Sequence, residues 1–593
     1  MKRSFGLITV VVLIIGIIAF FPACGDKGEK SEEGNKVETT AQPAEMKAAE
    51  KEVDMELQKK AEDFLNKYLA DYEKAYIAQG YTYWQAANSG KKEDFDAYAA
   101  ADLEVKKLHN DSQLYAKVEE LLKGKDNLKA LTARSIELAE LAFKENQLPK
   151  ETLEKMSRMA ADIEQAFNTF RGQLEGKEYS DNHLKEMLKE EMETPKRQKI
   201  WEALKQVCEA VAPKLVEFAK IRNEAAQKLG YKNYWDMQIR LQEHDPREIL
   251  SIFAELETQT DEPFKKMKAK MDQELAARFK IKPEDMMPWH YDNPFFQEPP
   301  PSDKIDMDIF YKDKSKEAII EITKKFFAGI DLPIDDIVAR SDLYEREGKQ
   351  QHAFCTCINR KDDTRVLVNV KPDAYWMDTV LHEMGHAIYC KYTDSNLPFN
   401  LRDSAHIFTT EAVAMLFGAL AKTPLWIITN TGADEKKVKE AEEAILEQRR
   451  REQLLFARWS LVMLHFEKAL YENPDQDLNT LWWDMVERFQ VLKRPPGRNA
   501  PDWAAKIHFS IAPVYYHNYQ LGELFAAQLR GTLVKLAKHE GPAHTLTYTG
   551  NKDFGNYFKE KIFQPGMTLR WPEFVKQATG EPLTAKYFAE EVK

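Results

Sequence analysis

Cysteine is scarce, with five in 593 residues. Cys24 falls at the end of an apolar leader, leaving Cys208, Cys355, Cys357 and Cys390 for the rest of the chain. Four thiols at this length exclude a disulfide scaffold. They read as partly buried structural thiols with room for one bridge, and Cys355-Thr356-Cys357 is too isolated to read as a zinc knuckle. Dense basic runs are also missing and the formal net charge is −12, so a nucleic-acid-binding surface is excluded. Past the leader there is no long apolar run and no internal repeat, and the mean hydropathy of −0.56 is that of a chain living mostly in water.

The leader itself is distinct. Lys2 and Arg3 precede Phe5–Phe21, apolar apart from glycine and threonine. That run is short for a membrane span but suits a secretory h-region. It ends in Phe21-Pro22-Ala23-Cys24-Gly25-Asp26, where a small residue before Cys resembles a bacterial lipoprotein signal; an ordinary signal peptide or an uncleaved anchor is the alternative. The expectation is an exported, membrane-anchored lipoprotein in the periplasm or at the cell surface, with residues 1–24 as signal and membrane association only through this end. Residues 25–52 are rich in Lys, Glu, Thr and Pro and poor in bulky apolar groups, a composition that cannot bury enough surface to fold and reads as a flexible tether.

From residue 53 to 593 the pattern predicts one mainly α catalytic body. Leu57, Ala61, Phe64, Leu65 and Tyr68 recur at the spacing of an amphipathic helix, and similar stripes run through Val118–Leu122 and Leu128–Phe143. Strand signals are sparse: Thr364–Val370 is a β-branched alternating run, with His352–Ile358 just before it. Pro299-Pro300-Pro301 and Pro495-Pro496-Gly497 mark loops. The picture is a large helical protein with a small β element ahead of its central motif.

That motif is Leu381-His382-Glu383-Met384-Gly385-His386, which follows Asp378-Thr379 as a helix start. Residues four apart share a helix face, so His382 and His386 can direct their imidazoles at one ion. Glu383 is offset, which suits a base for an attacking water rather than a ligand. With 13 His in the chain, an HExxH run arises by chance in only about 0.02–0.03 such sequences. A catalytic zinc takes three protein ligands and keeps one position open. No third His follows at short spacing; Glu411, at the start of a second helical stretch, is the preferred third ligand, and His406 competes with it.

With these residues the chain resembles the angiotensin-converting-enzyme family of zinc peptidyl-dipeptidases, as a bacterial exported member, from about residue 55 to the end. The resemblance rests on separated blocks in the family's order: Trp84-Gln85-Ala86-Ala87-Asn88, Pro288-Trp289-His290-Tyr291, His352-Ala353, the HEMGH run, Glu411-Ala412-Val413 and Lys506-Ile507-His508. It implies a zincin-type helical peptidase with a deep central cleft. His352, Ala353 and His508 would contact substrate, with the two histidines bonding its carbonyls. Lys506 would pair with the substrate's C-terminal carboxylate. In Tyr516-His517-Asn518-Tyr519, Tyr516 would contact that carboxylate and Tyr519 would stabilise the oxyanion. Catalysis would thus fall to Glu383, Tyr519 and His508. The departures are specific. The tyrosines fall one residue later than in the family, so Tyr515 rivals Tyr516. Asn518 replaces an Arg that helps bind chloride, which puts chloride dependence in doubt. Met415 replaces an acid one turn after Glu411, and Gln351 stands where a paired cysteine would be.

The implied function is zinc-dependent release of C-terminal dipeptides from oligopeptides. A zinc oligoendopeptidase is the alternative, favoured if Lys506 has no role. An inactive zinc-bound peptide receptor is a third reading, disfavoured because mere binding needs neither Glu383 nor Tyr519.

Overall fold

The structure, a computed structural model, describes residues 53–300 and 305–593. The leader (1–24) and the tether (25–52) lie outside the described residues. The chain is mainly helical, with two short antiparallel hairpins among the described residues.

The first long helix, Met55–Ser89, begins where the Asp54 carboxylate accepts the amides of Glu56 and Leu57, both at 3.0 Å, and stops at Gly90. An acidic N-cap satisfies amides that lack intrahelical partners. Of the predicted stripe, Ala61, Leu65 and Tyr68 are buried, packed in one cluster with Val118, Leu121, Ile136 and Phe143. The other two stripes thus form helices Ser112–Lys123 and Ala130–Glu145. A second, larger core buries the helices around the HEMGH run, and a small third cluster joins Trp84 and Ala87 to Ile358 and Leu367.

The hairpin Phe354–Cys357 with Thr364–Leu367 lies where the β-branched run predicts, with Cys355 opposite Val366. It is shorter than expected because Val368 and Val370 leave the ladder: their amides bond the carbonyls of Asp342 (2.9 Å) and Leu343 (3.0 Å). The other hairpin, Gly172–Leu174 with Lys177–Tyr179, has no clear strand signal in its sequence. Its two-residue turn places Glu175 and Gly176 at φ 52 and 77, the left-handed pair that matches strand twist.

The HEMGH helix runs Ala374–Tyr392 and starts earlier than Asp378-Thr379 suggests: Asp373 is its cap, accepting the Trp376 amide at 2.7 Å. Asp378 instead faces Lys422, 3.1 Å away. A Cys357–Cys390 disulfide, Cα atoms 6.2 Å apart, ties the hairpin to this helix, while Cys208 and Cys355 remain free. The one expected bridge therefore exists, made by partners other than the family's pair.

Beside the HEMGH helix runs Ile407–Gly418. Gly385 lets the two backbones meet: a Cβ there would sit 2.7 Å from the Ala414 Cα and 3.3 Å from the Val413 carbonyl oxygen. Backbone atoms cannot swing aside as a side-chain tip can. Gly385→Ala is therefore expected to lower stability by about 1–3 kcal/mol or more, as overpacking does, read from denaturant unfolding. Unchanged stability would show that the helices separate freely.

Candidate metal centre

The close helix pair brings His382, His386 and Glu411 together, with one ligand-type atom of each within 4.8 Å of the others. The Nε2 atoms of the two histidines are 3.3 Å apart, and His382 Nε2 is 3.9 Å from Glu411 Oε2. A tetrahedral ion with bonds of 2.0–2.1 Å needs ligand atoms about 3.3 Å apart, so the histidine spacing fits zinc. His386 Nδ1 bonds Thr410 Oγ1 at 2.7 Å. With the ring N–H as donor, that bond leaves the Nε2 lone pair turned to the shared point, as an outer-shell partner does for a metal-bound histidine. His406, the competing ligand, lies elsewhere: it caps the Ile407–Gly418 helix through the Phe408 amide and bonds the Gln242 carbonyl at 2.8 Å.

The charges of the group also call for a cation. Burial pushes Glu411 up to about 7, and burial together with Glu411 pushes Glu383 up to about 8. A backbone hydrogen bond from Cys355 opposes the Glu383 shift. Burial holds His382 below its ordinary value, opposed by Asp378 one turn earlier, and holds His386 well below, helped by His382. Neutral imidazoles are the ligating form, and a dication would compensate two carboxylates that burial disfavours as anions. Asp378 is thus the acid acting on His382. Met415 has no such role and packs against Gly522.

The second wall comes from residues 506–519. Tyr515 precedes the helix Tyr516–Leu536, whose Gly522 would place a Cβ 3.2 Å from that of Glu411. Tyr519 and Tyr515, ring centroids 5.0 Å apart, are both raised by burial and next by Glu411. Tyr516 turns the other way, 5.0 Å from the His508 ring and 5.4 Å from Lys506 Nζ. The two tyrosines that rivalled each other in the sequence therefore face different groups. Lys506 is buried and donates to Gln297 Oε1 at 2.7 Å, but forms no ion pair among the described residues. Burial, then Lys185, lowers it to about 7 against the pull of Glu298. His508 Nδ1 is buried without a partner. His352 is exposed and Ala353 half-buried on the loop before the hairpin, and His352 makes no hydrogen bond among the described residues. Among the described residues no hydrogen bond or ion pair joins either of them to His382, His386 or Glu411. Gln297, Thr410 and the Cys355 amide are polar partners that the sequence does not signal.

The Lys506–Tyr519 segment is pinned from behind. Val514 sits at φ 52, a conformation a β-branched residue adopts only under constraint. Its amide donates to Glu467 Oε1 at 2.8 Å, and its carbonyl accepts from Gln242 Nε2 at 2.7 Å. Arg222 donates to the Phe509 and Ser510 carbonyls at 2.7 and 2.6 Å. Asn518 is buried in the same network, donating to Gln242 Oε1 at 2.6 Å and lying 3.2 Å from His244 Nε2. Arg402, a cation that could hold an anion in place of the missing Arg at 518, is instead engaged with Glu73 and the Leu397 carbonyl.

Replacing Glu467 by Leu would strand the Val514 amide. The expected loss is about 1–3 kcal/mol, that of a buried donor left without acceptor, while Glu467→Gln, which keeps an oxygen there, should stay near wild type. Equal losses in the two variants, measured by denaturant unfolding, would contradict the pinning.

The family model described as angiotensin-converting enzyme matches residues 55–589. Angiotensin-converting enzyme of Oryctolagus cuniculus is 26% identical over 234 residues, 38% of this chain and 16% of that protein. Carboxypeptidase 1 of Bacillus subtilis (strain 168) is 23% identical over 331 residues, 46% of this chain and 62% of that protein. The chain spans less than two thirds of the length of either relative. Because the family match covers nearly all of the described residues, including His382, His386 and Glu411, this chain belongs to the angiotensin-converting enzyme family.

Proposed function

We propose that the protein is a zinc metallopeptidase that releases dipeptides from the C-termini of oligopeptides. The observation that carries the C-terminal part of this reading is buried Lys506. Among the described residues it makes no ion pair with a carboxylate; it lies beside Tyr516, and is joined through Tyr519 (ring centroid 5.4 Å from Tyr516) to the Glu411 side of the site. The name of the Bacillus subtilis relative, a carboxypeptidase, supports cleavage from that end.

Zinc held by His382, His386 and Glu411 would supply Lewis acidity, polarising the scissile carbonyl and lowering the pKa of a water. The chain's own residues do the rest. Glu383, one position from His382 and bonded by the Cys355 amide, takes a proton from the attacking water and returns it to the leaving amine. Tyr519 keeps its hydroxyl proton, since burial and Glu411 both oppose ionisation, and donates to the carbonyl oxygen as that oxygen gains charge. His508 offers a ring nitrogen with no internal partner to a substrate carbonyl, and exposed His352 can do the same from the hairpin side. Lys506 receives the C-terminal carboxylate with Tyr516. An anion entering this pocket restores the ammonium charge that burial opposes.

The same reading covers location: an exported lipoprotein anchored through Cys24, acting on peptides outside the cytoplasm. Its support is the leader sequence alone, and among the described residues no single helix is long and apolar enough to cross a membrane. Internal cleavage, as by an oligoendopeptidase, is the reading that takes over if Lys506 is idle.

Glu383→Gln should keep zinc in stoichiometric amount by metal analysis yet lose nearly all hydrolysis; full activity would remove Glu383 from the mechanism. A charge-assisted hydrogen bond is worth about 1.5–3 kcal/mol. Lys506→Ala should therefore weaken kcat/KM on free-acid peptides by on the order of ten- to a hundred-fold. The same variant should change little on C-terminally amidated peptides. Equal losses on acid and amide would favour the oligoendopeptidase.

A further inference from the structure

Residues of both the helix that carries Glu411 and the helix that carries Tyr519 line a cavity of about 530 Å³. Its apolar floor includes Leu416 and Leu420, just past Glu411 on the chain. The long helix Glu435–Glu472 contributes Arg449 and Arg450, and the helix that carries Tyr519 contributes Arg530. Tyr548 closes one side.

Three features of this cavity are out of balance. Arg530 is satisfied, with a two-pronged ion pair to Glu591 at 2.6 Å on each arm. Arg449 is not: its side chain is 15% exposed, its only ion pair is a loose 3.9 Å contact with that same Glu591, and it makes no hydrogen bond among the described residues. Burial and Arg530 press on its charge, and Glu591 and Glu523 ease it only through space. Arg450 has no ion pair or hydrogen bond among the described residues, and its buried Nε has no partner. Tyr548 is 5% exposed, and its hydroxyl is also buried without a partner. A guanidinium drawn out of water without a hydrogen-bonded anion is disfavoured; Arg449 is held so here, with the half-buried Arg450, its Nε unpartnered, and an idle phenol lining the same cavity.

We propose that this cavity is a binding site for a small organic oxyanion, with Arg449 and Arg450 as its cationic wall and the Tyr548 hydroxyl as a third donor. A guanidinium fork matches two oxygens of one carboxylate or phosphate. The volume is in the range of small-molecule pockets and far exceeds one halide ion, and the leucine floor suits a ligand with an apolar body. The site is independent of the peptidase reading. Because its lining includes residues of both the Glu411 helix and the Tyr519 helix, an occupant would touch the two elements that hold the metal group and the oxyanion donor.

The test is calorimetric titration and thermal unfolding of the whole chain in an anion-poor buffer. The probes are phenyl phosphate, benzoate and inorganic phosphate, with sodium chloride at matched ionic strength as control. Saturable binding of phenyl phosphate or benzoate is expected, with a raised Tm, and the better of the two identifies the headgroup. Chloride should give no saturable effect. Arg449→Gln with Arg450→Gln should abolish binding. Tyr548→Phe, which removes one hydroxyl and should fold normally, should weaken it by on the order of ten-fold. Glu383→Gln should bind as wild type does, which separates this cavity from the metal centre. No saturable binding of any oxyanion, or undiminished binding in both the arginine and the Tyr548 variants, would overturn the proposal.

Discussion

The contact on which the rest depends is between two backbones, Gly385 against Ala414. Without that approach the HEMGH helix would present two histidines to empty space, and Glu411 would be an isolated buried acid. With it, a local repeat (one helical turn from His382 to His386) is joined by a ligand from another helix, 3.9 Å from His382. Gly522 repeats the device one layer further, seating the Tyr516–Leu536 helix on Glu411, close enough for Glu411 to act on Tyr519 through space. Two missing side chains thus set the thickness of a three-helix stack, and that thickness sets the geometry of the site.

Such a stack is poor in compensating charge. Glu383 and Glu411 are pushed toward the neutral form and Lys506 toward the neutral amine, while His508 keeps an unpartnered nitrogen. A protein core ordinarily pairs its buried polar groups. Leaving these charges without a counter-ion, and His508 Nδ1 without a partner, makes sense where a cation and a peptide terminus are expected to supply what is missing. The stabilising interactions sit behind the site instead. Arg222, Gln242 and Glu467 spend their hydrogen bonds on the backbone of the segment that carries His508 and the tyrosines, and hold Val514 in a conformation it would not choose.

What could be read from the sequence follows how local each signal is. The HEMGH pair was legible because its geometry is contained in one helical turn. The amphipathic stripes of the first helices were legible for the same reason, and the second hairpin showed in its β-branched run. Glu411 against His406 needed the fold: His406 is removed by a bond to the Gln242 carbonyl, 164 residues away. Likewise Gln297 reaches Lys506 across 209 residues, and Cys357 finds Cys390 only because the hairpin lies on the helix. The start of the HEMGH helix is ambiguous in the sequence because Asp373 and Asp378 are both suitable caps by type, and only the bond from the Trp376 amide chooses between them. The first hairpin escaped because three-residue strands and a Glu-Gly turn give almost no pattern. The one-residue shift of the tyrosines could not be weighed from the sequence, because only the fold sets Tyr515 near Glu411 and Tyr516 near His508 and Lys506.

The most direct measurement is product identification by mass spectrometry, using a blocked oligopeptide with a free C-terminus, with and without a chelator. The account predicts an intact C-terminal dipeptide and the matching shortened peptide as the first products, both absent once the metal is removed. First products that are single C-terminal residues, products from internal cleavage, or hydrolysis that persists under chelation would contradict it.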